Sequence, residues 1–338
     1  MSITLHDVAR LAGVSIKTVS NVVHDSPGIR PETRARVLAA IEELGYRPNL
    51  TARGLRSGRT GAIGLVIPDL RNAYFAELAG AVMTAAHARG LYVLIEQISG
   101  YDKASELAVL RGPRMQLVDG ILHSVLTLDD DDVGMLDLPT PLVLLGDRIF
   151  DGPTDHVTMP NVAGSRAATE HLLGLGCRRI LALGAHPGEV AGSAALRLRG
   201  YGEALSAAGV PVHPELVIAV QDWQRFDGAA AMRAVIASGL EFDGIVAFND
   251  PLALGALRVV LEAGLRVPED VAIIGFDDID ETRYSLPTLS TIDPGRDEIA
   301  EIAVGWLVER IGAPRGSIAP REHETRVRLV QRESTTRS

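Results

Sequence analysis

The sequence predicts an α/β protein in two parts, a three-helix N-terminal head and a body of two doubly wound parallel-sheet subdomains. Three observations lead there. The first 45 or so residues read as three short helices, the first two joined by a tight Ala-Gly-Val turn. From Gly61 the texture changes to short apolar, β-branched runs alternating with helical patterns, and about nine such runs in roughly 230 residues fit two doubly wound sheets better than one. At 338 residues, of which 46% are hydrophobic and only 4% aromatic, the chain has the length for two or three units and an aliphatic, alanine-rich core.

In the head, Thr4 followed by Asp7 resembles a capping box with Asp in place of Glu, and Leu5, Val8, Ala9 and Ala12 recur at helical spacing. Gly13 stops this helix. Ser15 is placed to cap the next, Ile16 to about Val23, whose buried stripe is Val19, Val22 and Val23. Asp25-Ser26-Pro27-Gly28 is a loop by composition. Pro31 then opens a third helix to about Leu44, with Val37, Leu38, Ile41 and Leu44 inward, and Gly45 ends it. Three helices in this arrangement form a helix-turn-helix unit.

In the body the predicted strands are Ala62–Ile67, Tyr92–Glu96, Gly120–Val125, Leu142–Leu145, His156–Met159, Ile180–Gly184, Leu216–Val220, Gly244–Phe248 and Val271–Phe276. One intervening helix shows Phe75, Leu78, Ala79, Val82 and Ala86 on a single face. Gly112-Pro113 falls inside what should be a helix from Lys103 to Leu117, so a kink or an early end is expected there. Arg321 to Thr336 is polar and lacks a leucine heptad.

Composition also excludes functions. No apolar run approaches the roughly 18 residues that cross a bilayer, and Asp7 and Arg10 stand where a secretory leader would be apolar, so a cytoplasmic protein with no membrane partner is expected. The single Cys177 excludes an intramolecular disulfide and a multi-cysteine metal site. Neither Gly-x-Gly-x-x-Gly, Walker loop nor nucleophile elbow is present, and Asp129–Asp132 reads as a solvated acidic loop or helix start. The reading is therefore not an enzyme, with no catalytic residues, metal or cofactor.

The net charge of −10 hides an asymmetry. Residues 1–60 hold nine basic and five acidic groups, so the head is +4 and the body −14. A basic patch gains affinity for a duplex by displacing phosphate counterions, while an acidic body is repelled from it.

The run Thr4-Leu-His-Asp-Val-Ala-Arg-Leu-Ala-Gly-Val-Ser-Ile-Lys-Thr-Val-Ser-Asn-Val-Val23 resembles the LacI/GalR family of bacterial transcriptional regulators. So do Pro31-Glu-Thr-Arg34, Leu44-Gly-Tyr-Arg-Pro-Asn49 and Ala52-Arg-Gly-Leu55. The likeness continues through Arg197-Leu-Arg-Gly-Tyr201, Phe248-Asn-Asp-Pro-Leu-Ala-Leu-Gly-Ala256, Val267-Pro-Glu-Asp-Val271 and Pro287-Thr-Leu-Ser-Thr-Ile292, and so covers nearly the whole chain. It implies a DNA-binding domain over 1–48, a hinge helix over 49–60 and a periplasmic-binding-protein-like core over 61–338. Family cores cross between subdomains three times. That puts about 61–160 and 293–320 in the first subdomain, and about 161–292 and 321–338 in the second.

A recognition helix enters the major groove by its N-terminal end, so Ile16, Lys17 and Asn21 are the candidates for base contact, and they match the family's specificity positions. Lys17 suits guanine, Asn21 adenine and Ile16 a thymine methyl. Many family members carry arginine where Asn21 stands, so a different half-site preference is implied. Thr4, Ser15, Thr18, Ser20, Thr33, Arg34 and Tyr46 have donors placed for phosphates, although Ser15 serves equally as a helix cap. In the hinge, Asn49, Ala52 and Leu55 correspond to the family's operator contacts, Leu55 as a minor-groove wedge; a plain linker is the alternative.

Ligands of doubly wound sheets bind beyond the carboxyl ends of the strands. The candidates there are Tyr74, Phe75, Asp147, Ser193, Arg197, Trp223, Asn249 and Asp277. Arg197, Asn249 and Asp277 suit vicinal hydroxyls, and Phe75 and Trp223 can cover the apolar face of a ring, so a sugar or nucleoside-like effector is the natural fit, a carbohydrate first. The competing reading makes Asp277 and Asn249 helix caps and Phe75 and Trp223 core residues. Two departures from the family pattern stand out: Met159-Pro160-Asn161 stands where an acidic residue often precedes the asparagine, and Cys177 replaces a usual histidine, a packing or surface change.

The resemblance thus implies a repressor that binds near-palindromic double-stranded operator DNA as a homodimer, under control of a small effector between the two core subdomains. A solute-binding transport protein would share the lobes but not the head. A regulator needing a protein corepressor is the remaining alternative, and inducer and corepressor modes of the effector both stay open.

Overall fold

The structure, a computed structural model, describes residues 3–23, 27–46 and 59–336. It divides into two units, Met1–Thr60 and Gly61–Ser338. The hinge residues Asn49, Ala52 and Leu55 and the loop residues Asp25 and Ser26 lie outside the described residues.

The head consists of α1 (Leu5–Ala12), α2 (Ile16–Val23) and α3 (Pro31–Leu44). The Asp7 carboxylate accepts from the Thr4 N–H at 3.0 Å and from the Thr4 hydroxyl at 2.7 Å, which ties down the start of α1. Gly13 stops α1 in the left-handed conformation at φ 63°, where a side chain would be strained. Ser15 Oγ then accepts the Thr18 N–H at 3.1 Å and opens α2. Val8, Ala12, Val19, Val22, Val37, Ala40 and Tyr46 form the core of the head. Leu38, expected inward, is 51% exposed: the stripe that faces α1 runs through Val37, Ala40, Ile41 and Leu44, and Leu38 lies about 100° round the helix from Val37.

The first sheet of the body is all parallel, in the order β2 (Tyr92–Gln97), β1 (Ala62–Ile67), β3 (Gly120–Ser124), β4 (Leu142–Leu145), β5 (Asp155–Thr158) and β11 (Glu322–Glu324). The second is also parallel, in the order β7 (Val217–Ala219), β6 (Ile180–Ala185), β8 (Gly244–Ala247) and β9 (Ala272–Ile274). Each sheet reverses its winding once, between β1 and β3 and between β6 and β8, and so has a switch point where a crevice opens beyond the strand ends. Both β1 and β6 are buried almost throughout, as strands covered on two faces must be.

Helices α4 (Ala73–His87), α5 (Lys103–Leu110) and α10 (Arg296–Gly312) cover the first sheet, and α6 (Asn161–Gly174), α7 (Ser193–Ala207), α8 (Arg225–Ala237) and α9 (Asp250–Glu262) the second. α5 ends at Leu110, before Gly112-Pro113, and Met115–Leu117 form only a 3-10 turn. Two short antiparallel strands, β10 (Thr291–Asp293) and β12 (Arg328–Val330), join the segments that cross between the lobes. The three crossings lie side by side: the Thr325 N–H donates to the Thr158 carbonyl at 3.1 Å, and the Thr325 hydroxyl donates to the Pro294 carbonyl. Since β11 pairs with β5, residues 322–324 belong to the first sheet and not, as expected, to the second subdomain; the last crossing follows Glu324.

Candidate functional site

On the head, α2 carries Ile16, Lys17, Thr18, Ser20 and Asn21 in its first two turns. Lys17 is exposed and Asn21 half-buried, whereas Ile16 is half-buried against the head's core. Thr18 Oγ1 lies 2.9 Å from Ser15 Oγ, and Thr4 donates to Asp7, so both threonines and Ser15 have local structural partners. Thr33 and Arg34 sit half-buried in the first turn of α3. Tyr46, proposed above as a phosphate donor, is a core residue and only 8% exposed, its N–H closing the end of α3 on the Ile41 carbonyl at 2.9 Å.

In the body a single cavity of about 830 Å³ lies beyond the strand ends of both sheets, and Tyr74, Phe75, Asp147, Ser193, Arg197, Trp223, Asn249 and Asp277 all line it. The register explains why. Tyr74 and Phe75 follow β1 at the start of α4, Asp147 follows β4, Ser193 opens α7 after β6, Asn249 follows β8 and Asp277 follows β9. Asn72 caps α4 by accepting the Tyr74 N–H at 3.1 Å, which fixes where the two aromatic rings, 5.3 Å apart and edge to face, enter the cavity.

Arg197, 2% exposed, is the centre of the far wall. Its Nε donates to Asn161 Oδ1 at 2.7 Å, one Nη to the Phe248 carbonyl, and the other lies 3.2 Å from Met159 Sδ and 3.5 Å from Asp277 Oδ1. Its guanidinium lies 3.7 Å from the Phe276 ring centroid and 5.3 Å from that of Trp223. The methionine that departs from the family pattern therefore places a thioether against this cation. Cys177, the other departure, is buried and donates to the Asp243 carbonyl at 3.3 Å, a packing role.

Several candidates hold the fold as well as face the cavity. Asn249 Oδ1 caps α9 by accepting the Leu252 N–H at 2.9 Å, while its Nδ2 donates to the Trp223 carbonyl at 3.0 Å. Trp223 Nε1 donates to the Gly184 carbonyl at 3.0 Å. Asp147, from the first lobe, accepts from Thr158 at 2.9 Å and from Ser193 of the second lobe, so it already links the two walls. Asp277 stands at φ 115°, a conformation a non-glycine residue rarely adopts, and it is Ile279 that stands at the cap position of the following 3-10 turn, Asp280–Arg283.

Burial pushes the Asp277 carboxyl up to about 7, against the opposing pull of Arg197 and Arg296. Burial likewise raises the Tyr74 phenol far above its ordinary value, with Asp277 and Asp147 adding to it. Asp250, wholly buried beneath Asp277, is also raised by burial and by the neighbouring Asp277 charge. At the rim the opposite holds: the Arg71 guanidinium, gripping Asp69 through paired hydrogen bonds, keeps that carboxyl below the usual range.

The sequence reading missed Tyr101, Ser124, Thr127, His186, Glu189 and Phe226, which also line the cavity. Ser124 ends β3 and the others stand within about ten residues after a strand, so the strand-end rule applied more widely would have found them. It also missed Glu106, fully buried on α5. Its carboxylate accepts the N–H groups of Leu126 at 2.9 Å and Thr127 at 2.7 Å, the Thr127 hydroxyl at 2.6 Å, and pairs with His123 at 2.7 Å, pinning the loop that lines the cavity beside β3. Burial alone would raise Glu106, but these hydrogen bonds, led by His123, bring it to about 2.

The family model for bacterial regulatory proteins of the lacI family matches residues 4–49, and that for a periplasmic binding protein-like domain matches residues 169–335. The ribose operon repressor of Escherichia coli K12 is 32% identical over 92% of this chain and 94% of its own. The transcriptional regulator CelR in complex with cellobiose superposes with a TM-score of 0.70 at 32% identity, covering 98% of this chain and 99% of its own. The lac repressor dimer bound to operator and the anti-inducer ONPF superposes with a TM-score of 0.83 at 27% identity, covering 99% of both chains.

Proposed function

Since the chain belongs to the LacI family of DNA-binding transcriptional regulators and is not an enzyme, we propose that it is a repressor whose operator affinity is set by a sugar held between the two lobes of its body. The observation that carries this reading is the lining of the cavity. Buried Arg197, Asn249, Asp147 and Asp277 converge on one space with Phe75 and Trp223, which matches hydroxyl donors and acceptors around an apolar ring face.

The mechanism follows from where the walls come from. Asp147 belongs to the first lobe and Ser193, Arg197 and Asp277 to the second, so a ligand touching both sets the angle at which the lobes meet about the three adjacent crossings. On this reading two copies of the chain bind a near-palindromic site, and lobe closure changes the spacing of their heads. Ile16, Lys17 and Asn21 of α2 read base edges, and Leu55 of the hinge enters the minor groove.

The test is operator binding by the full chain, measured with and without each sugar of a panel. A sugar that binds and changes operator affinity supports the reading; if none does and a cellular protein is required, a protein corepressor replaces it. Lys17→Ala should weaken operator binding by about 1–3 kcal/mol while leaving sugar binding unchanged. Equal operator affinity would remove Lys17 from the reading face.

A further inference from the structure

Two features of the cleft go beyond what one sugar ring requires. The first is its size. At about 830 Å³ it lies near the top of the roughly 300–1,000 Å³ usual for small-molecule sites, several times the size of a single hexose. Its inner end is closed by Phe75, Trp223 and Arg197. Its mouth is flanked by Tyr101 of the first lobe and Phe226 of the second, which line the same cavity yet are 70% and 75% exposed. Across the mouth, the Asp222 carboxylate of the second lobe adds a little to the upward shifts of Arg71 and Tyr101 of the first. An exposed aromatic on each side of an opening is a surface on which a sugar ring stacks.

The second feature is charge. Among the described residues, six carboxylates line the cavity against three guanidiniums, and every guanidinium has a carboxylate partner. Arg71 pairs with Asp69 at 2.8 Å, Arg148 with Glu189 at 3.9 Å and Arg197 with Asp277 at 3.5 Å. A phosphate or carboxylate on the ligand would have to displace one of these partners and would face the remaining acids. Neutral hydroxyls instead find acceptors in place.

Resting on the sugar reading above, we propose that the effector is an uncharged saccharide of at least two rings, the inner ring lying between Phe75 and Trp223 and the outer ring against Tyr101 and Phe226. The phosphorylated and uronic-acid forms of the same sugars are rejected.

Calorimetric titration of the full chain decides this, using common hexoses and pentoses, their di- and trisaccharides, glucose 6-phosphate, glucuronate and the purine bases. The best di- or trisaccharide is expected to bind at least tenfold tighter than its own component monosaccharides, and the anionic sugars at least tenfold weaker than their neutral parents. Tyr101→Ala and Phe226→Ala, both at exposed positions, should remove the advantage of the longer sugar. A monosaccharide that binds as tightly as its oligomers, an anionic sugar that binds tighter than its parent, or variants with an unchanged ratio would overturn the proposal and leave the sugar reading standing. If no saccharide of any length binds, with or without a purine that does, the sugar reading falls and the proposal falls with it.

Discussion

Helix α2 of the head and the cavity of the body use their polar side chains on opposite terms. On α2, Lys17 is exposed and the head is held together beneath it by Val8, Val19, Val22 and Val37. In the cleft, Arg197, Asn249, Asp277 and Trp223 are each a strut: one ties α6 to α7, one caps α9, one sits in a strained turn, and one bonds back to Gly184. On the proposed function, a change of operator specificity at Lys17 is therefore separable from the stability of the head. A change of ligand specificity at the buried wall of the cavity is not separable from the stability of the body, and three experiments test that difference.

The largest expected effect is that of Arg197→Met. Losing the guanidinium leaves the buried Asn161 amide oxygen and the Phe248 carbonyl without their donor, and each such unsatisfied group costs about 1–3 kcal/mol. Urea denaturation should show this loss in the ligand-free protein. If the variant stays within about 1 kcal/mol of wild type, Arg197 is a ligand contact only and the contrast with Lys17 collapses.

Asp277 gives the next largest effect, through pH. Its folded carboxyl titrates at about 7 and its unfolded one near 3.8, because burial favours the protonated form. Between those values the folded state holds a proton that the unfolded chain has released, so this contribution to stability falls as pH rises and is gone above about 7. Asp277→Asn has no such proton. The stability of wild type minus that of Asp277→Asn should decline steadily from pH 4.5 to 7.5; a flat difference would mean that Asp277 is ionised throughout. Glu106, held near 2, works in the reverse direction and loses its contribution only as the pH falls below about 4.5.

Much of this was legible in the sequence, for physical reasons that also explain what was not. Long apolar strands such as Ala62–Ile67 and Ile180–Ala185 are buried on both faces and announce themselves by composition, and the residues just after them must face the crevice. That is why eight candidates chosen by position surround one cavity. Strands of three residues such as β10, β11 and β12 bury too little to leave a pattern, so the crossing after Glu324 could not be placed to the residue. Leu38 was misplaced because a helix in a small head buries a stripe narrower than its apolar positions. Glu106 left no signal at all, since a glutamate on a helix is ordinarily exposed and its five hydrogen-bond partners come from residues 123–128, far along the chain.

The smallest effect sharpens the comparison on the head, at Ser15, where cap and phosphate contact compete. Ser15→Ala removes the acceptor of the Thr18 N–H and should lower the stability of the head by about 1 kcal/mol. Ser15→Asp keeps an acceptor in the same place and adds a negative charge at the positive end of α2, so it should be as stable as wild type or slightly more so. The same charge beside a phosphate backbone is repulsive, and operator affinity of Ser15→Asp should fall by about tenfold, with a weaker dependence on salt than wild type. Wild-type stability in Ser15→Ala would deny the cap. Wild-type operator affinity in Ser15→Asp would show that Ser15 faces away from the duplex, and the separation of fold from recognition proposed at Lys17 would then extend to the cap of α2.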